Sequence, residues 1–305
     1  MSKLLAYYDP NRNIQSFLED HSRHVAEFLA TVFKERLASN NPVFRLIDKA
    51  FNQENIIYKT TILASYLHDI GKASRYYQVT LKKRSFRYHE HLSALILSSA
   101  WSYLIDQNNE LCALIFYMTS AIVSRHHVAM THRHPDRMIK LLRDNPEVSK
   151  QLVEAMKNIE ANDVEHMLNP LPLPIRDAIL NSIEKLKSGL AKHNPVILVS
   201  EKLTPATTHG VAQHLPSLIR NIQRDQGSTS LDKAKMLKTI QVASGALIVS
   251  DILVAWRERG STDPQSAYAR SWLVELDAAV ILDKIVNDAT TSRFIQELYQ
   301  LSRIC

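Results

Sequence analysis

Apolar residues along this chain recur every three to four positions and seldom alternate, which is the period of helices packed on a common core. Residues 14–38 show it most clearly. Phe17, Leu18, His21, Val25, Phe28, Leu29, Val32 and Phe33 form one broad face, and Asn40-Asn41-Pro42 ends the run. The same period predicts helices over 55–67, 89–105, 110–126 and 136–143, while 1–12 reads as extended and 73–88 as a loop. From 145 to 231 the pattern weakens. The prolines of Asn169-Pro170-Leu171-Pro172-Leu173-Pro174 mark a break, and 177–190 reads as a helix. Val196-Ile197-Leu198-Val199 fits a short strand or a buried helix start, and 224–230 reads as a mobile loop. A long helix over 231–259 and a helical close over 265–303 complete the chain. The expectation is an all-α fold in one domain, 1–305, with an insertion or sub-lobe at about 145–231.

Composition agrees with that expectation: only 6 glycines in 305 residues, 45% hydrophobic and 22% charged, in a chain long enough to bury a sizeable core. The two cysteines, Cys112 and Cys305, make no framework and suggest a reducing compartment. The longest apolar stretch, 14 residues over 111–124, is too short to span a membrane, and the first residues lack a signal-peptide core. A soluble cytoplasmic protein is expected. No Gly-x-x-x-x-Gly-Lys-Ser/Thr motif is present, so the chain carries no phosphate-binding loop of an ATP motor.

Net charge is +6, and its distribution matters more than its size. Between Asp69 and Glu90 there is no acidic residue, yet Lys72, Arg75, Lys82, Lys83, Arg84 and Arg87 stand there, interleaved with Tyr76, Tyr77, Phe86 and Tyr88. Phosphates can meet the cations while unpaired bases stack on the rings. A second basic cluster holds Arg125, Arg133, Arg137, Lys140 and Arg143. A solvated surface loop shows the same composition without any ligand.

The chemistry centres on Tyr66-Leu67-His68-Asp69-Ile70-Gly71-Lys72. Neighbouring side chains on a helix diverge by about 100°, so His68 and Asp69 serve a third object better than each other. A metal ion suits both, since imidazole is a transition-metal ligand and a carboxylate can bridge two ions. Gly71 is read as the residue that lets the backbone turn away and expose the site. Three further histidine stretches accompany the pair: Glu19-Asp20-His21-Ser22-Arg23-His24-Val25-Ala26, His89-Glu90-His91-Leu92-Ser93-Ala94, and Arg125-His126-His127. Asp251 interrupts an uncharged apolar run, where a carboxylate needs a partner; a metal ion or a salt bridge would serve. His24, His91, His132, His134, His166, His193, His209 and His214 read as surface or capping residues.

This order of motifs resembles the HD superfamily of metal-dependent phosphohydrolases, and most closely the HD nuclease of type I CRISPR–Cas systems. The likeness covers residues 1–130 and the stretch around Asp251. Val128 stands where that family often has glycine. The resemblance implies an HD helical bundle with extra helices in the C-terminal half. It implies His21, His68, Asp69, His89, His126, His127 and Asp251 as ligands of two divalent ions, with Asp69 bridging them. One ion would take His21, His68, Asp69 and Asp251, the other Asp69, His89, His126 and His127, and Lys72 would steady the developing charge on phosphorus. Histidine-rich shells favour manganese, iron, cobalt or nickel, with magnesium admitted by availability. The implied activity is cleavage of DNA, single-stranded by preference. Lys72, Arg75, Lys82, Lys83, Arg84, Arg87 and Arg125 would contact the strand. The implied partners are a separate CRISPR helicase subunit and an RNA-guided surveillance complex. A phosphohydrolase of small nucleotides is the alternative.

Overall fold

The computed structural model describes residues 3–9, 11–38, 41–80, 88–127, 134–222, 233–260, 270–272, 274, 278–287 and 293–305. Among these the fold is all-α apart from one hairpin, β1 (Leu5–Asp9) and β2 (Ile14–Phe17), paired antiparallel with Tyr8 opposite Gln15 and Asp9 opposite Ile14. The helix expected to begin at 14 therefore begins at 18. Ile14–Phe17 pairs with the first strand instead, and Asn13 takes the left-handed conformation (φ 51°) that closes the hairpin.

Helix α1 (Leu18–Val32) follows, and the backbone breaks at Phe33 before a single turn, α2 (Lys34–Leu37). Asn41-Pro42 then starts α3 (Pro42–Phe51): the Asn41 side chain accepts from Val43 N, and proline fits the first helical position. Next come α4 (Ile56–Leu67), the short α5 (Arg75–Thr80), α6 (His89–Asp106) and α7 (Glu110–Val123). Part of the loop expected over 73–88 is thus helical; residues 81–87 lie outside the described residues.

The Asn-Pro device recurs. Asn145-Pro146 opens α9 (Pro146–Lys157) directly after α8 (Pro135–Asp144), and Asn194-Pro195 opens α12 (Pro195–Leu203). The latter decides between strand and helix for 196–199, because Asn194 accepts from Val196 N and Ile197 N and locks a helical turn. Between them lie α10 (Ala161–Leu168) and α11 (Leu173–Lys192), and α13 (Thr208–Ile222) follows. The long α14 (Lys233–Glu258), then α15 (Ala278–Asn287) and α16 (Arg293–Ser302), close the chain. The expected mobile loop at 224–230 falls outside the described residues.

Helices α4, α6 and α7 are buried over most of their lengths, and α1 and α14 pack against them. Residues of α8 to α13 join the same core: Leu152, Val164, Ile179 and Leu203 are buried in it. Helix α14 is long and apolar enough to cross a membrane by composition, but most of it is buried in this core, against α1, α4, α7 and α13. The two cysteines, expected to make no framework and to suggest a reducing compartment, are bonded to each other: Cys112 on α7 and Cys305 are joined, and Asn109 Nδ2 donates to the Cys305 carbonyl.

Candidate metal centre

The site lies where α1, α4, α6, α7 and α14 meet. His21 comes from α1, His68 and Asp69 from the end of α4, His89 from the start of α6, His126 and His127 from just beyond α7, and Asp251 from α14. The ligand atoms of His89, His126 and His127 lie within 4.8 Å of one another, as do those of His21, His68 and Asp69, and those of His68, His126 and Asp251. Each of these groups could hold a metal ion. All seven residues expected as ligands therefore stand together.

Asp69 faces both sides. Its Oδ1 lies 2.9 Å from His89 Nε2 and 3.9 Å from His126 Nε2, and its Oδ2 lies 3.3 Å from His68 Nε2 and 3.7 Å from His21 Nε2. Lys72 Nζ also donates to Oδ2. Asp251 Oδ1 stands 3.1 Å from His21 Nε2 and 3.6 Å from His68 Nε2. Across the site, His127 Nε2 and His89 Nε2 face each other at 3.3 Å.

The rings are aimed by what they do on their far side. His68 Nδ1 donates to the Ser65 carbonyl at 2.7 Å, and His126 Nδ1 to the Val123 carbonyl at 2.7 Å. Both bonds reach back three residues at the end of a helix, where carbonyls lack intrahelical partners. They turn Nε2 toward the centre, and both Nε2 atoms are buried with no hydrogen bond. A buried, unsatisfied nitrogen is costly unless something binds it, and a cation does so. The residues present thus fit a metal.

Gly71 has a different reason from the one expected. It lies in a 3₁₀ turn (Ile70–Ala73) against the start of α6, where an added Cβ would fall 2.4 Å from the His89 carbonyl and 2.9 Å from Ser93 N. Its N–H donates to Ser93 Oγ at 2.9 Å, and Ser93 Oγ donates to the His89 carbonyl at 3.0 Å. The absent side chain lets the His-Asp and His-Glu-x-x-Ser-Ala stretches touch. Tyr88, just before His89, is left-handed (φ 67°), a conformation that costs a bulky residue energy and sets the angle at which α6 enters the site.

Electrostatics divide the ligands. Burial opposes charge on His21, yet Glu258 and Asp251 outweigh it and push the imidazole up to about 9. Burial likewise opposes charge on His68, but Asp69 and Asp251 raise it to about 10. Asp69, despite its burial, is held well below the carboxylate range by His68, Lys72 and His89, and Asp251 by His21 and His68. His126 goes the other way, well below its ordinary value through burial and its neighbours His127 and His68. His127 falls to about 4 through burial and His89.

Several expectations need correction. Arg125 is only 3% exposed and donates to the Ala121 carbonyl at 2.7 Å, so it is not placed to meet a strand; burial lowers its guanidinium to about 10. Tyr77 and Tyr88 are buried and cannot stack on bases, while Tyr76 is half-buried. Arg75 is exposed and ion-paired with Asp163 at 3.1 Å. Lys82, Lys83, Arg84, Phe86, Arg87, Val128, His132 and Arg133 lie outside the described residues. His24 and His91 are buried rather than on the surface. His134 does cap α8, accepting from Asp136 N.

Sequence reasoning missed Glu258. Its side chain is 8% exposed and accepts from His21 Nδ1 at 2.9 Å, from His24 Nδ1 at 2.7 Å and from Ser16 Oγ at 2.7 Å. A signal for it exists: Glu258 stands seven residues, two helical turns, after Asp251, as His24 stands one turn after His21. Compared with family models, with curated proteins and with solved structures, the chain matches none.

Proposed function

We propose that the chain is a dinuclear-metal phosphodiester hydrolase of the HD type that cuts DNA, single-stranded by preference, as the nuclease subunit of CRISPR interference. The observation that carries this reading is Asp69, with one carboxylate oxygen turned to each of two histidine groups. The order of motifs that resembles HD nucleases supports it. One ion would be held by His21, His68, Asp69 and Asp251, the other by Asp69, His89, His126 and His127. Such ions supply a water that loses its proton near neutral pH and neutralise phosphate oxygens; the histidine-rich donor set favours manganese, iron, cobalt or nickel over magnesium.

The chain's own residues do the rest. The Ser65 and Val123 carbonyls hold two imidazoles with Nε2 inward. Lys72, with its side chain 13% exposed beside Asp69, supplies a cation for the charge that develops on phosphorus. Asp251, 16% exposed, and His127 are the other partly exposed members, so substrate enters on their side. On this reading a separate helicase subunit and an RNA-guided complex deliver unwound DNA. The protein, on the same reading, works in the cytoplasm without a membrane.

One observation favours a second reading, hydrolysis of small nucleotides: five of the seven ligands are buried, and Tyr77, Tyr88 and Arg125 are withdrawn from any strand. End-labelled single- and double-stranded DNA, incubated with manganese with and without chelator beside Asp69→Ala, separates the two. The account predicts metal-dependent cutting of single strands that the substitution abolishes. Metal uptake with no cutting of any polymer, and turnover of nucleotides instead, would move the substrate to the second reading.

A further inference from the structure

Two ligand rings, His68 and His126, are oriented by backbone carbonyls three residues away in their own segments. His21 is oriented differently. Its Nδ1 meets Glu258, distant in sequence, on the last turn of α14. The same carboxylate takes His24 Nδ1 on its other oxygen and Ser16 Oγ of the hairpin. Glu258 therefore clamps three points of the β2–α1 segment onto the helix that also carries Asp251. With Nδ1 engaged, His21 Nε2 is left facing Asp251 Oδ1 at 3.1 Å and Asp69 Oδ2 at 3.7 Å.

We propose that Glu258 is a positioning residue for metal binding: it holds His21 with Nδ1 as the donor and Nε2 toward the centre, and so sets the affinity of the ion taken by His21, His68, Asp69 and Asp251. This rests on the metal reading above. A carboxylate behind a ligating imidazole fixes its tautomer and strengthens it as a donor, and loss of such a partner weakens metal binding by about 10- to 100-fold. The ion of the other group, whose imidazoles come from His89, His126 and His127, keeps its affinity. His24 shares the carboxylate but faces away from the ligands, toward Arg23 (NH2 to Nε2, 3.0 Å). It helps hold the clamp and ligates nothing.

Titration of the metal-free 305-residue chain with manganese, followed by calorimetry and by electron paramagnetic resonance, tests this without any substrate. The wild type should take two ions. Glu258→Gln should take one as before and the other about 10- to 100-fold more weakly, with its melting followed to confirm the fold. Ser16→Ala, a milder change should Glu258→Gln not fold, removes one hydrogen bond to the clamp and should weaken the same ion by roughly 2- to 5-fold. A folded Glu258→Gln protein with both affinities unchanged, or an unchanged Ser16→Ala where Glu258→Gln does not fold, would overturn the proposal and leave the metal reading standing. A wild type that takes up no manganese would overturn both.

Discussion

The two halves of the histidine cluster use the same side chain in opposite electrostatic settings. On one side His21 and His68 stand among Asp69, Asp251 and Glu258, which push them up to about 9 and about 10. On the other, His126 and His127 are buried beside His89 and each other, which holds His126 well below its ordinary value and His127 at about 4. Near neutral pH and without metal, His21 and His68 carry protons where a cation would sit, whereas His126 and His127 are held neutral and ready to ligate. Proximity alone does not make a metal site. The charge of the surroundings decides whether an ion must first displace protons.

The sharpest way to break this comparison is at the residue the two sides share. Asp69→Ala should lower cleavage by roughly a thousandfold, the scale of losing one preorganised electrostatic contact to the transition state, and should cost both ions. His127→Ala should weaken only the ion beside it. A result in which Asp69→Ala and His127→Ala behave alike in metal titration would erase the distinction.

The next effect is in pH. The two-histidine, two-carboxylate side must shed protons before binding, so its occupancy should climb as pH rises toward about 9 to 10. The other side should bind at lower pH, because His127 stays neutral down to about 4. Manganese counted per chain at a fixed concentration in excess of the sites should therefore go from one at mildly acidic pH to two at alkaline pH. Equal filling of both sites at all pH values would contradict this.

The metal-free fold should show the same division. His21 and His68 are raised above their ordinary value of 6.5, so their contribution is full below 6.5 and lost as pH rises through about 9 and 10. His127 is lowered, so its contribution is present above 6.5 and lost as pH falls toward about 4; Asp69 and Asp251, both depressed, also lose theirs on the acid side. Urea unfolding of the metal-free protein should find greatest stability near pH 6.5, falling on the acid side as His127 charges in the unfolded chain and on the alkaline side as His21 and His68 lose their advantage. Smaller still are changes at the seam between α4 and α6. Gly71→Ala forces a Cβ onto the His89 carbonyl and should cost roughly 1–3 kcal/mol, and Ser93→Ala about 1 kcal/mol, both read by the same unfolding.

How much of this was legible in the chain depended on the range of the interaction that decides each feature. Helices such as α4 and α7 could be read because a largely apolar run between polar ends is a local signal, and these helices are buried over most of their lengths. The ligand set came from the resemblance to HD nucleases, since the residues alone do not tell His21 from His24 or His89 from His91. What could not be read was set by contacts distant in sequence. Glu258 looks like an ordinary charge near a helix end until α1 docks against it. Cys112 meets Cys305 only after the last helix folds back. Arg125 and Tyr77 sit in basic, aromatic stretches whose composition suggests surface, yet packing buries both. Gly71 looked like a turn residue because glycine usually is one; the reason for it is the carbonyl of His89, eighteen residues on.

The central claim is that Asp69 joins two ions. Anomalous diffraction from crystals grown with manganese tests it most directly. The account predicts two peaks, one on each side of the Asp69 carboxylate, the first among His21, His68 and Asp251 and the second among His89, His126 and His127. A single peak, or one lying away from Asp69, would contradict it.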